Sequence, residues 1–435
     1  MNHPIAEDRR LPTIQLVHWI ANPVDFIYRN LGEEGNLFVA QIGRLSPAVF
    51  ICHPAGVEEV FKLKHDRIAG VSPNLLPVVG SSSLLTTDEP EHQQRRRLIL
   101  PHFHGDRIRV YREIMREVAL SVARSHRDWG QLRSFAQEIT LKVISKIVFA
   151  AGSERADRLQ TKLAELLQTL TSPVRSSFLL FPFLQKNWGS WSPWGQFLRL
   201  RQEVDEIIYE IIRDRRQNFN SDRTDILSLL LSARFEDDTP MSDTEIRDHL
   251  ITFLIGGRET TASSLAWGFY WAAKYENLRE KLLEDIAKHG DSGPYLDAFC
   301  KETLRIYTPT LISTPRQVRD RPVRVLDVEF PAGTFLLPCI YGVHHRPDVY
   351  PNPYKFDPDR FIRRPYSSSE FFPFGGSNRR CIGDALAMME MKVVLAAILP
   401  QYKMAIDPVD VHPQRFGITI SVPDRLQMQW VDRPS

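Results

Sequence analysis

The chemistry-bearing residues of this chain concentrate in FPFGGSNRRCIGDALA, residues 372–387, where Cys381 stands between a glycine turn with two arginines and the start of an apolar helix. A cysteine thiolate can bind a soft or borderline metal, attack carbon, or form a disulfide. Nucleophilic use needs a base, and no histidine lies near Cys381 in sequence. The plainer alternative is a lone buried cysteine at a loop–helix junction. The flanks favour metal ligation. Gly375 and Gly376 permit close-lying backbone. DALAMMEMKVVLAAIL reads as a helix whose first N–H groups can donate to a thiolate. Gly383 lets something flat approach the helix start, and Arg379 and Arg380 offer cations to acidic groups beside the sulfur. Haem, planar and carboxylate-bearing, meets that description.

At this point the stretch resembles the cysteine-ligand loop of the cytochrome P450 monooxygenases. Phe374, Arg379, Cys381 and Gly383 fall at that family's spacing, Phe-x-x-Gly-x-Arg-x-Cys-x-Gly. One position departs: the glycine four before the cysteine is Ser377, strained by about 1–2 kcal/mol if its backbone is left-handed. The resemblance implies Cys381 as axial ligand of the iron of haem b.

Other stretches resemble the family's motifs in its order. ITFLIGGRETTASSLAW places Gly256, Gly257, Glu259, Thr260 and Thr261 in an apolar helical segment. Taken alone, the glycine pair reads equally as a close helix–helix contact. The resemblance makes it room above the iron, with Thr260 hydrogen-bonding dioxygen and Glu259 relaying protons. Glu302 and Arg305 in CKETLRIY form an i,i+3 pair, which on a helix surface means little. The resemblance joins them to Arg360 of PDPDRF in a buried ionic cluster that holds the cysteine loop and takes no part in chemistry. His92 and Arg96 lie four apart on one helix face near residues 90–100. They resemble a propionate clasp, as does Arg316, with Arg379 completing the set. The phrase PEHQQRRRLILPHFHGDRI is similar to soluble bacterial members, the cyanobacterial branch in particular.

The elements that must position these residues are mainly helical. GNLFVAQIG and PAVFIC predict an early hairpin, and Pro54 opens a short helix. Helical pattern runs from Asp106 to Ala150, from Glu154 to Thr171 and from Trp194 to Phe219. Ser242 and Glu245 form a capping box for a helix reaching about Tyr275. Another helix spans Asp291 to Tyr307, followed by short strands, a proline-rich stretch and a terminal hairpin in RFGITISVPDRLQMQWVD. Strands and helices do not alternate, so the expected fold is mainly α with a minor β part, one large helical domain over residues 1–435 with small sheets. Phe178, Phe181, Phe183, Trp188, Trp191 and Trp194 crowd a stretch that reads either as a loop packed on its own core or as a greasy pocket entrance with peripheral membrane contact.

Composition narrows the partners. With 55 basic and 53 acidic residues among 435, no global charge draws the chain to nucleic acid. Four scattered cysteines argue against a disulfide scaffold and a structural zinc site and suit a reducing compartment. No apolar run approaches the roughly 18 residues that span a bilayer. The expectation is a cytoplasmic protein without a transmembrane anchor. The resemblance then implies a monooxygenase that uses dioxygen on a hydrophobic substrate, of fatty acid, alkane or terpenoid type. Its electrons would come from a ferredoxin or flavodoxin with its reductase, docking near Arg95, Arg97, Arg363, Arg364, Arg380 and Lys392. The pocket would draw on residues 75–85, Leu254, Leu311, Ile312 and Ile418. Two alternatives stand beside this reading: a haem-thiolate isomerase or peroxygenase of the same fold, and a non-catalytic haem-based gas-binding protein.

Overall fold

The helix Asp243–Lys274 is the axis on which the site is built, and its start follows from local chemistry. The Ser242 hydroxyl accepts from the Glu245 N–H while the Glu245 carboxylate accepts from the Ser242 N–H, satisfying donors that a helix end leaves open. Beyond the first turn the helix is buried on nearly all sides, so tertiary packing sets its length. It packs against Leu132–Phe149 on one side and Asp384–Ile398 on another, with Pro294–Ile306 and Pro193–Gln217 adjoining. The computed structural model describes residues 6–432 apart from 9, 32–34, 44, 71, 104, 127, 151–153, 172–183, 188, 190–191, 221 and 408–410.

The β part is small. A six-stranded sheet runs in the order Ala6–Glu7, Leu37–Ala40, Ala48–Ile51, Phe335–Pro338, Arg316–Val318, Ile68–Ala69. The expected hairpin is its second and third strands, with Leu37 opposite Ile51. Its importance here is that it carries Arg316 into the interior.

Helices dominate, as the pattern predicts, but three boundaries differ. The expected run from Asp106 to Ala150 is two helices, Asp106–Ser125 and Leu132–Phe149, separated by the strand Gly130–Gln131. That strand exists because Gln131 pairs with Gln427, a contact invisible to local pattern. The terminal hairpin is shorter than expected: only Gln414–Phe416 and Thr419–Ser421 form it. The last strand, Gln427–Asp432, pairs instead with Tyr402–Ile406. The helix expected from Asp291 begins at Pro294, where proline suits the first turn. Pro12–Ala21 and Glu276–His289 are helices that the sequence reading passed over.

Candidate functional site

Residues 374–383 form a tight loop, closed where the Cys381 N–H donates to the Phe374 carbonyl at 2.8 Å. Its glycines are dictated by space. A Cβ on Gly376 would lie 2.2 Å from the Phe61 ring, and one on Gly375, at φ 68°, would lie 2.8 Å from Ser313 Oγ. Ser377 adopts φ 60°, so the departure from the motif falls on left-handed backbone. Cys381 lies just before the helix Asp384–Ile398. Burial pushes its thiol pKa up, and Asp384 adds to this; the Gly383 N–H bonded to the sulfur, with Arg96 and Arg380, opposes it. Although enclosed by protein, the cysteine keeps accessible surface, so it borders an internal opening.

The long helix supplies a second open wall. A Cβ on Gly256 or on Gly383 would meet no atom within 4 Å. Gly256 and Thr260, one turn apart, keep accessible surface, as do Ile255 and Gly257, on a helix that is buried from Ile246 to Leu254 and from Thr261 to Ala272. Gly257 differs, since its Cβ would meet Ile144 at 3.0 Å. The glycine pair thus divides between its two readings: Gly256 makes room, and Gly257 allows the close contact with Leu132–Phe149.

Positive charge gathers beside the sulfur without enough carboxylate to balance it. Arg316 is 1% exposed, and among the described residues its guanidinium donates only to the Thr314 and Gly376 carbonyls, at 2.5 and 3.3 Å. Burial, with Arg379 nearby, pushes its pKa down to about 9. The Arg96 side chain makes no hydrogen bond or ion pair among the described residues, although it lies close enough to Cys381 to feel its charge. His92 is buried, with Nδ1 3.0 Å from Glu89 Oε1; burial and Arg379 push its pKa down to about 4. Ser313 Oγ, also buried here, lacks a partner among the described residues. A buried cation normally has its counter-ion. These residues fit a flat group carrying two carboxylates, with iron over the sulfur: His92, Arg96 and Arg316 would hold the propionates. Arg379 is already engaged, by the Thr87 carbonyl at 2.8 Å and Asp88 Oδ1 at 3.3 Å. Sequence reading overlooked Asp88 and Glu89, although an acidic pair just before His92 is a usable signal.

Glu302 and Arg305 are fully buried and Arg360 nearly so. Glu302 accepts from Arg305 Nε at 2.7 Å, Arg360 Nε at 3.1 Å and the Asp357 N–H at 2.9 Å. Arg305 donates onward to the His344 carbonyl at 2.7 Å, and the His344 ring accepts the Phe372 N–H at 3.2 Å. This chain of bonds ends two residues before Phe374, which is how the cluster reaches the cysteine loop. His344 had no role in the sequence reading.

Glu259 does not face the opening. Its carboxylate accepts from Arg258 Nη1 at 2.5 Å, Gln137 Nε2 at 2.9 Å and Arg133 Nη2 at 3.2 Å. Arg133 also donates to Asp424 Oδ1 at 3.0 Å, and the Asp424 side chain is half exposed. Among the expected pocket residues, Leu254 and Leu311 are buried while Ile418 is exposed. Phe178, Phe181, Phe183, Trp188 and Trp191 lie outside the described residues.

An accessible cysteine in a glycine-dictated loop, a buried Arg316 and a half-buried Arg96 near it and an open helix face are the features that a haem-thiolate centre would need, in a mainly helical fold. The sequence profile described as Cytochrome P450 matches residues 6–428, and the chain belongs to that family. A Mycobacterium tuberculosis protein that bears the name cytochrome P450 135B1 is 33% identical over 426 residues, 95% of this chain and 88% of its own. Another from the same organism, named cytochrome P450 138, is 32% identical over 382 residues, 86% and 84% of the two chains. In fold, the chain is similar to the retinoic acid-bound cyanobacterial CYP120A1, with TM-score 0.86 at 21% identity over 99% of this chain and 100% of that one. The haem domain of cytochrome P450DA gives TM-score 0.83 at 22% identity, covering 99% and 98%. The cofactor of the family is haem b, and the class is that of haem-thiolate monooxygenases. Among the described residues, no helix is long and apolar enough to cross a membrane.

Proposed function

We propose that this chain, in one domain, hydroxylates or epoxidises a hydrophobic substrate of fatty acid, alkane or terpenoid type, with electrons from a separate ferredoxin or flavodoxin and its reductase. The observation that carries the reading is Cys381, a residue with accessible surface whose sulfur is steadied by the Gly383 N–H, in a loop approached by Arg96 and Arg316, which have no carboxylate partner among the described residues. Haem bound through that sulfur supplies the activation of dioxygen and the transfer of one oxygen atom. The chain's own residues do the rest. Thr260 presents a hydroxyl on the accessible helix face; at rest it donates to the Gly256 carbonyl at 2.5 Å. Glu259 holds a carboxylate in reserve behind it, within the Arg133, Gln137 and Arg258 clamp. The acid–threonine pair favours monooxygenation over the isomerase or peroxygenase reading. Apolar Leu254 and Leu311 suit a hydrophobic substrate, as does the retinoic acid held by the similar cyanobacterial structure.

Each cation expected at the docking face is paired within the chain: Arg95 with Glu245, Arg97 with Glu236, Arg363 with Asp357, Arg364 with Glu370, Arg380 with Asp384, and Lys392 with Asp297. Of these, Arg97–Glu236 is exposed on both sides and contributes about 0–1 kcal/mol, so an acidic partner could exchange it cheaply, while the other pairs are part-buried. Charge reversal at Arg380 and Lys392 should slow electron delivery and flatten its salt dependence.

The absorption spectrum of the reduced protein with carbon monoxide is the test. A strongly red-shifted Soret band, lost in Cys381→Ala, is expected; a band typical of histidine-ligated haem overturns the reading. Thr260→Ala should keep the band while diverting reducing equivalents into peroxide, and unchanged coupling would favour the isomerase or peroxygenase alternative.

A further inference from the structure

Burial pushes six arginines below their ordinary pKa: Arg96, Arg201, Arg258, Arg316, Arg379 and Arg415. Arg201, Arg258 and Arg379 have carboxylate partners within the chain, Asp205, Glu259 and Asp88. Arg96 lies near Cys381 and Arg316 is bonded to Gly376 of the cysteine loop, where propionates would balance them. Arg415 is left over. Its pKa is pushed down to about 10 by burial, with no charged group among the described residues contributing.

The position of Arg415 is well defined. It stands in the strand Gln414–Phe416, directly opposite Ile420, so the two share a face of the terminal hairpin. Two carbonyls fix its guanidinium: Nη1 donates to Trp19 O and Nε to Gly417 O, each at 2.7 Å. It also lies over the Trp19 ring, 5.7 Å from the centroid. Nη2 has no protein partner among the described residues and keeps accessible surface. Its cross-strand neighbour Ile420 belongs to an apolar cluster. Ile420 packs with Leu16, Trp19 and Leu311, against which Ile312 also lies. The hairpin is tied to the oxygen side of the site, because the Ile420 carbonyl accepts from Ser263 Oγ, three residues beyond Thr260. The Ile420 N–H donates to the Pro309 carbonyl at 2.9 Å, just before Leu311.

We infer that Arg415 recognises the carboxylate of the substrate, so that among hydrophobic compounds this chain selects long-chain or terpenoid acids over alkanes. The inference rests on the haem-thiolate reading and narrows its substrate class. A guanidinium already oriented by two carbonyls and an indole loses little freedom on meeting a carboxylate, and its free Nη2 is the donor left to take one. A guanidinium that only pinned the helix Pro12–Ala21 to the hairpin would use the same bonds to Trp19 and Gly417, and would not discriminate an acid from its ester.

That difference is the test. The haem-loaded protein is titrated at neutral pH with tetradecanoic acid, all-trans-retinoic acid and the methyl ester of each, reading the spin-state shift of the Soret band. At least one acid should bind about tenfold or more tighter than its ester. Arg415→Gln should erase the preference by weakening the acid and leaving the ester unchanged, and Arg415→Lys should restore part of it. Equal affinity for acid and ester, equal weakening of both in Arg415→Gln, or no shift with either acid would each overturn the proposal. The carbon monoxide spectrum separates the two levels. A normal thiolate band with no acid preference defeats Arg415 alone, whereas loss of that band in the parent protein defeats the reading beneath it.

Discussion

Ser377→Gly tests how the cysteine loop is strained. Ser377 stands at φ 60°, where a side chain costs about 1–2 kcal/mol that glycine does not. Glycine carries its own cost of about 0.5–1 kcal/mol, because the unfolded chain gains freedom. The Ser377 hydroxyl makes no hydrogen bond among the described residues, so no polar contact is lost. The difference is a net stabilisation of about 0.5–1 kcal/mol. Ser377→Ala removes the same hydroxyl but retains a Cβ at the same φ, and should be neutral. Urea unfolding of the haem-loaded proteins, followed by both the Soret band and circular dichroism, measures the three together. If Ser377→Gly is no more stable than Ser377→Ala, then the left-handed backbone at this position carries no strain, and the argument from the missing glycine fails.

Three further outcomes follow from the geometry. Glu302→Ala leaves Arg305 and Arg360 buried without their carboxylate and should cost about 3–5 kcal/mol, a large share of the roughly 5–15 kcal/mol typical of a domain; a loss under about 1 kcal/mol in urea unfolding would refute the cluster's structural role. Gly256→Ala points its methyl into open space and should gain up to about 1 kcal/mol of helix stability while lowering turnover, whereas Gly257→Ala meets Ile144 at 3.0 Å and should fall below it in stability. His249 is fully buried with neither ring nitrogen bonded among the described residues, and burial pushes its pKa down to about 3. The unfolded chain therefore binds the proton more readily between about pH 3 and 6.5, and stability is lost as pH falls through that window. His249→Leu should be more stable than the parent at the acid end by a margin that shrinks above pH 6.5, as unfolding at both ends would show.

What the sequence disclosed was short-range. The capping box at Ser242 and the loop from Phe374 to Gly383 are set by neighbours a few residues apart, and both are found with the spacing their types predict. What stayed hidden was every partner supplied from a distance. The strand Gly130–Gln131 exists only through residues 427 and 428. The clamp on Glu259 comes from Arg133 and Gln137, which are separated from it by 126 and 122 positions. Glu259 shows the consequence most sharply. Adjacent to Thr260 in sequence, it reads as that residue's immediate collaborator. Successive residues of a helix are turned by about 100°, however, and the two side chains fall on different faces. Thr260 takes the open face, and Glu259 takes the face against Leu132–Phe149, where two arginines and a glutamine hold it. A role for Glu259 in bringing protons to Thr260 therefore requires its carboxylate to give up at least one of these donors. Of the three, Arg133 is the one also bonded to the half-exposed Asp424, so the solvent end of such a route lies at Asp424.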